Sequence, residues 1–383
     1  MSAERLGAAF DLLAAYEPDA GSFFEHRGRG VAGSPAGERV AVAEVPARLG
    51  SLGRGAVAVG ALPFVGDGAL AIPAAGARRK GEEGVERIGA GPALLGRPAG
   101  APPSVAFAEP QLHEIPSAQG YAAAVRTAVD RIASSDLRKV VLARSIEVDA
   151  GRLLDPRRLA HRLRAVDPDA FTFAMPVDGG VLVGASPELL VSRFGREVRS
   201  NPLAGSAPRS GDPTQDRAFA DELAGSAKDR EEHRIVVDDV ARVIGSFCTE
   251  LTWDPEPVLL ETPNVWHLST RFRGVLAEPA ASVLEMVAAL HPTPAVAGAP
   301  PADALATIAE LEPFDRGCYA GPVGWVDADG DGEWAIALRC AVLDRERATL
   351  YAGAGIVAGS EPDAEVDETA RKFRAFLDAL RWG

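Results

Sequence analysis

Three sets of side chains in this sequence have the types and spacing for acid–base or metal chemistry. The first is a single lysine. Among 40 lysines and arginines only Lys80, Lys139, Lys228 and Lys372 are lysine, and Lys139 stands in LRKVVLARS, in a chain that otherwise chooses arginine. A buried lysine can lose its proton near neutral pH and serve as a general base, whereas arginine stays protonated; the alternative is an ordinary surface lysine. The second set is two carboxylate couples with D/E-x-x-E spacing, Asp229 with Glu232 and Glu365 with Glu368. Oxygen-only ligands of this kind suit Mg2+, which is held by one or two carboxylates and completed by water and substrate oxygens. The third is Glu188 in GASPELL. With a raised pKa this turn carboxyl is a candidate general acid, and otherwise it is a loop carboxylate.

The elements that must position these groups follow from periodicity. RKVVLARSIEV is a β-branched run that reads as a strand opening at 139, which puts the Lys139 side chain at the end of a sheet. QGYAAAVRTAVDRIASSD before it has helical spacing. GGVLVGASPELLVSRFGREVRS reads as strand, tight Ser-Pro turn, strand, and a hairpin at Gly195-Arg196. Residues 213–247 read as one long helix opened by Pro213 and Thr214. At about 100° per residue, Val236, Val240, Val243 and Phe247 share a core-facing stripe that Glu232 and Asp229 continue backwards. Either the helix emerges into solvent there or a cation meets the carboxylates, because an unpaired buried charge is expensive. On the last helix Thr369, Phe373, Phe376 and Leu380 form the stripe. Glu365, Glu368 and Lys372 run along its edge, as a solvated flank or as part of a Mg2+ site.

Two further residues stand in apolar strand-like runs. His267 in NVWHLST is either a satisfied core histidine or a site residue. Arg339 in AIALRCA needs an anionic partner if it points inward. Two motifs fail. DADGDGEW (327–334) imitates an EF-hand loop, but its twelfth position is Leu338, so it reads as a hairpin turn. AGAGIVAG (352–359) lacks the last glycine of a dinucleotide fingerprint, although its backbone amides could cradle a carboxylate.

Bulk properties narrow the partners. The chain of 383 residues, 47% hydrophobic and 25% charged, has the composition of a soluble globular protein with a large core. Its net charge of −14 argues against nucleic acid, and an anionic substrate would need local cations or a metal. No apolar run is long enough to span a bilayer, and the N-terminus does not read as a secretion signal. Cys248, Cys318 and Cys340 show no C-x-x-C pair and read as free thiols of a cytoplasmic protein. Strand-like runs at 56–64 and 68–74 precede a connection at 91–110, and strands and helices interleave without regular βαβ alternation. That pattern favours an α+β fold.

Taken together, RKVVLARS, GASPELL, NPLAGSAPR, SAKDREEH, NVWHLST, LHPTPAVAG, AELEPFDRGCYAGPVGW, ALRCAVL and AGAGIVAGSEPDAEVDET resemble the chorismate-utilising enzymes. The blocks run in family order from about residue 119 to 376. PLAGSA, LHPTPA and ELEPFDR are most similar to the isochorismate synthases of catechol siderophore pathways. The resemblance implies one large α+β domain with a two-layer β core flanked by helices, residues 1–110 being integrated into the same fold as a catalytic core at 111–383.

It also implies roles for the residues. Lys139 would be the base that activates water at C2 of chorismate, and Glu188 the acid for the departing C4 hydroxyl. Mg2+ would be held by Glu232 and Glu365, with Asp229 and Glu368 in support. His267 and backbone amides near Gly353 and Gly355 would serve the ring carboxylate, Arg339 and Tyr319 the enolpyruvyl carboxylate. Gly205, Ser206, Ala295 and Lys372 would complete the substrate site. Relatives that use ammonia lack the lysine and carry PIAGTR in place of PLAGSA, so water is the nucleophile implied and no glutaminase partner is needed. A monomer fits the resemblance. A salicylate synthase, which goes on to eliminate pyruvate, is the alternative; a catalytically inactive chorismate-binding regulatory protein is the remote one. The pathway served, for 2,3-dihydroxybenzoate and siderophores or for menaquinone, is open.

Overall fold

The β-branched run at 139 forms the longest strand among the described residues, Lys139–Asp149, which pairs antiparallel with Arg347–Ile356 from Val140↔Ile356 to Asp149↔Arg347. This computed structural model describes residues 5–6, 11–18, 21–34, 37–53, 55–79, 85–89 and 111–381; the connection expected at 91–110 lies outside them. Two large antiparallel sheets and one of three strands organise the described residues. The first large sheet includes, in spatial order, Ser22–His26, Phe171–Val177, Gly180–Ser186, Cys340–Asp344, Arg347–Ile356 and Lys139–Asp149. The second includes Glu197–Asn201, Leu189–Phe194, Gly332–Ile336, Pro322–Asp327, Val57–Ala61 and Ala69–Pro73. Strands from residues 22–73 are therefore hydrogen-bonded into both sheets beside strands of the C-terminal region.

Alternation along strands divides the core into layers. In Gly180–Ser186, Leu182 packs inward with Val191, Val323 and Trp334 of the second sheet. Its neighbour Val183 turns outward onto Leu163, Phe373 and Phe376, under helices Pro156–Val166 and Pro362–Arg381. The architecture is α+β, two β layers flanked by helices. Among the described residues no helix is long and apolar enough to cross a membrane.

The two sheets exchange strands at a seam. Gly180–Ser186 belongs to the first sheet and Leu189–Phe194 to the second, so the chain crosses over at Pro187-Glu188. Gly332–Ile336 and Cys340–Asp344, which pair with those two strands, cross back at 337–339. The crossings are tied together, Ala185 N–H donating to Arg339 O and Ile336 N–H to Glu188 O, both at 3.2 Å. Two sequence expectations change here. Arg339 does not lie inside a strand; it sits in the crossing with a positive φ of 49°. Residues 213–247 are not one helix either, because Ser226 is extended and separates Pro213–Gly225 from Ala227–Gly245. The Ser226 side chain caps the second helix by accepting from Asp229 N–H, which a continuous helix could not offer.

The stripe on that second helix faces the core as its spacing requires, with Val236, Val240 and Val243 buried and Phe247 half-buried just beyond its end. Each such fully buried aliphatic side chain contributes roughly 1.5–3 kcal/mol. Thr369, Phe373, Phe376 and Leu380 are buried likewise on the last helix. DADGDGEW forms the expected hairpin turn, Asp327 Oδ1 accepting from Asp329 and Asp331 N–H.

Candidate active site

A cavity opens at the seam, with Pro187, Glu188, Leu338 and Arg339 on one side of it. Glu188 is 4% exposed and accepts a long hydrogen bond of 3.4 Å from Leu203 N–H. Burial pushes its carboxyl up to about 7, outweighing that bond and the nearby charges of Lys139 and Arg339. A carboxylic acid that keeps its proton near neutrality is equipped to donate it.

Arg339 extends into the cavity from the other crossing. Its Nη2 donates to His267 Nε2 at 3.0 Å, and His267 Nδ1–H donates in turn to Gly205 O at 3.1 Å. Burial, reinforced by the Arg339 charge, lowers His267 to about 3, so the imidazole is neutral and its tautomer is fixed by those two partners. With both nitrogens engaged, His267 holds the guanidinium. Tyr319, whose phenol burial raises well above its usual range, stacks on Tyr351 with ring centroids 5.1 Å apart.

Across the cavity, Lys139 is completely buried at the start of its strand. Its Nζ is 3.1 Å from Glu232 Oε1, yet without the alignment of a hydrogen bond. Glu232 and Gly355 lie against it and line the cavity. A Cβ on Gly355 would fall 2.0 Å from Glu232 Oε1 and 3.1 Å from Lys139 Cε, so only glycine leaves room for the pair.

The remaining carboxylates come from the two helices as their spacing requires, and two of them meet a lysine. Glu365 accepts from Lys228 at 2.8 Å and Glu368 from Lys372 at 2.6 Å. Three of the four lysines thus converge on one acidic cluster; Lys80 lies outside the described residues. Burial, with repulsion from Glu368, pushes Glu365 up to about 7. Burial would raise Glu368 as well, but Lys372 holds it below the usual range. Asp229 is raised by burial and is hydrogen-bonded to Ser226 Oγ.

This donor set fits a divalent cation. It consists only of carboxylate oxygens, their mutual repulsion is the energy a cation would relieve, and Gly355 leaves space beside Glu232. Among the described residues no three such groups close on one point. The fit is to a hard cation held by one or two carboxylates, with water completing its shell.

Gly353 and Gly355 present backbone to the same space. The amides of Ala143 and Val141, opposite them, are directed to Glu312 and Ala297 O, so these cross-strand pairs are not hydrogen-bonded to each other. The glycine N–H groups consequently face the other edge, where pairing with Cys340–Asp344 ends at Leu350 and Lys372 donates to Gly353 O at 2.8 Å. An anion can be bound there.

Of the residues singled out in the sequence, Glu188, Gly205, Ser206, Glu232, His267 and Ala295 line the cavity. So do Tyr319, Arg339, Gly353, Gly355, Glu368 and Lys372. Lys139, Asp229 and Glu365 stand behind this lining. Tyr351 and Lys228 were not anticipated. The scarcity of lysine that marks position 139 applies equally to 228.

The sequence matches the family model described as "Chorismate binding enzyme" over residues 96–381. It is 45% identical over 273 residues to isochorismate synthase DhbC of Bacillus subtilis (strain 168), covering 70% of this chain and 69% of the relative. Over 267 residues it is 42% identical to isochorismate synthase EntC of Escherichia coli (strain K12), covering 70% and 68%. The crystal structure of DhbC from Bacillus anthracis superposes with a TM-score of 0.85 at 35% identity, over 97% of this chain and 99% of that one.

Proposed function

Since this chain belongs to the chorismate-binding enzyme family, we propose that its cavity converts chorismate to isochorismate, with water as nucleophile. The observation that carries this reading is one cavity with Glu188, whose carboxyl burial pushes up to about 7, in one wall, and the fully buried Lys139 directly behind Glu232 and Gly355 in the opposite wall. Lys139 takes a proton from water as its oxygen bonds to C2. The ring double bonds shift, the C4–O bond breaks, and Glu188 gives its proton to the departing hydroxyl. One water enters and one leaves, so substrate and product are isomers, and proton return through solvent resets both groups.

Arg339 and Tyr319 bind the enolpyruvyl carboxylate, Arg339 being held at the required angle by His267. The amides of Gly353 and Gly355 bind the ring carboxylate, and Gly205, Ser206, Ala295 and Lys372 close the pocket around it. Glu232 and Glu365 would hold Mg2+, with Asp229 and Glu368 in support. The ion would supply positive charge that neutralises the ring carboxylate, templating rather than activating the water. The enzyme works in the cytoplasm as a single chain, with no glutaminase subunit, on a catechol siderophore or other aryl-acid route.

The test is to incubate the protein with chorismate and Mg2+, and follow products by chromatography beside a pyruvate assay. Isochorismate approaching equilibrium with chorismate, without pyruvate, is the expected result. Stoichiometric pyruvate with salicylate would reassign the enzyme, and unchanged chorismate would end the reading. In the same assay Glu365→Gln is expected to raise the half-saturating Mg2+ concentration by at least about tenfold. An unchanged Mg2+ titration would remove Glu365 from the cation site.

A further inference from the structure

The outer edge of the Lys139 strand has a gap. Gly298–Ala299 pairs with it at Lys139 and Val140, Gln111–Ile115 only from Ser145 onward. Between them, side chains take the place of a strand. Glu312 Oε1 accepts from Ala143 N–H at 2.7 Å, and Arg316 Nη2 donates to Val141 O at 2.7 Å. The two side chains also bind each other, Arg316 Nη2 to Glu312 Oε1 at 2.5 Å and Nε to Oε2 at 2.9 Å, with only 2% and 3% of their surfaces exposed.

This pair reaches beyond the strand. Arg316 Nη1 donates to Val296 O at 2.8 Å, next to Ala295 in the cavity wall. Its backbone carbonyl accepts from Tyr319 N–H at 2.9 Å, closing the turn that carries Tyr319. The guanidinium lies 4.3 Å from the Phe64 ring centroid and 5.9 Å from that of Tyr319. Four of the five N–H donors of the planar fork are thus engaged, a task that lysine with its single point charge cannot reproduce.

We infer that Glu312 and Arg316 are positioning residues, a buried clip that fixes Val141, Val296 and Tyr319 relative to one another and so sets the wall against which the enolpyruvyl side of the substrate is held. The inference rests on the chorismate reading of the cavity for the identity of that substrate. Neither residue lines the cavity, so they act through the three that do.

Arg316→Lys and Glu312→Gln keep most of the volume and part of the bonding, and are compared with the parent chain for kcat, KM, pH profile and unfolding. The expected result is a rise in KM for chorismate of about tenfold or more in both, since small misplacements of a binding group are costly. The kcat stays within about threefold, and its pH profile keeps the shape of the parent's. Unchanged KM in the folded variants, or a loss of kcat alone, would overturn the assignment. Loss of cooperative unfolding in both variants would also overturn it, by making the pair a folding element. A parent chain that fails to turn over chorismate would instead be a failure of the proposed reaction. Calorimetric binding of chorismate to parent and variants would then decide the clip separately, a weakening of tenfold or more supporting it and equal affinity rejecting it.

Discussion

Lys139→Ala is expected to lower turnover of chorismate about a thousandfold or more while the protein still unfolds cooperatively. General-base catalysis is worth roughly a hundred- to ten-thousandfold, and among the described residues no other lysine lies against Glu232 and Gly355 to replace it. Because the side chain is fully buried, alanine leaves both a void and an uncompensated Glu232 carboxylate. Removing one partner of a buried pair costs about 3–5 kcal/mol, so Lys139→Met, which fills the space, separates lost chemistry from lost packing. Lys139→Arg answers the question the sequence poses. It keeps the positive charge but cannot yield a proton, so it should be as inactive as methionine. Initial rates with chromatographic detection, beside thermal unfolding by circular dichroism, measure all three variants. Activity near the parent level in Lys139→Arg would mean that the residue serves as a charge and not as a base.

Glu188→Gln is the second large effect, a loss of about a hundredfold to ten-thousandfold in kcat, and it carries a pH signature. The parent acid works only while protonated. With its carboxyl near 7, kcat should fall as pH rises through that value, and the glutamine variant should lose this limb. Stability gives an independent check with a defined sign. A carboxyl raised in the folded state from about 4.5 to about 7 binds its proton more tightly when folded. Its contribution to stability is fully present below the unfolded value and is lost as pH rises through 7. The difference is on the order of 3 kcal/mol. Glutamine has no proton to lose, so denaturant titrations at pH 5 and pH 8.5 should show the variant declining less than the parent. A parent whose kcat and stability are flat across neutrality would remove Glu188 as the acid.

Much of this arrangement is legible in the sequence because it rests on local periodicity. The Lys139 strand, the hairpin at 327–334 and the stripes that bury Glu232 and Glu365 each follow from spacing within one element. The acid–base roles entered through resemblance, and the cavity supplies the environment for them. What local reading misses depends on distant partners. AIALRCAVLD reads as one apolar strand, and it is interrupted at Arg339 only because Gly332–Ile336 and Cys340–Asp344 pair with strands in different sheets. The break at Ser226 did have a local signal, a serine three residues before Asp229, hidden by helical spacing that continues on both sides. Glu312 and Arg316 carry no periodic signal, since the gap they fill exists only once three segments meet beside residues 141–143.

Glu188 and Arg339 ride on one rigid joint, each crossing bonded to the other's backbone. Lys139 and the acidic cluster stand on separate supports, a strand end and the first turns of two helices. In the proposed reaction, departure of the hydroxyl and delivery of the attacking group are therefore modular. The joint can be inherited unchanged while the strand end is rewritten for a different nucleophile, so one scaffold can give rise to several reactions without rebuilding the half that expels the leaving group.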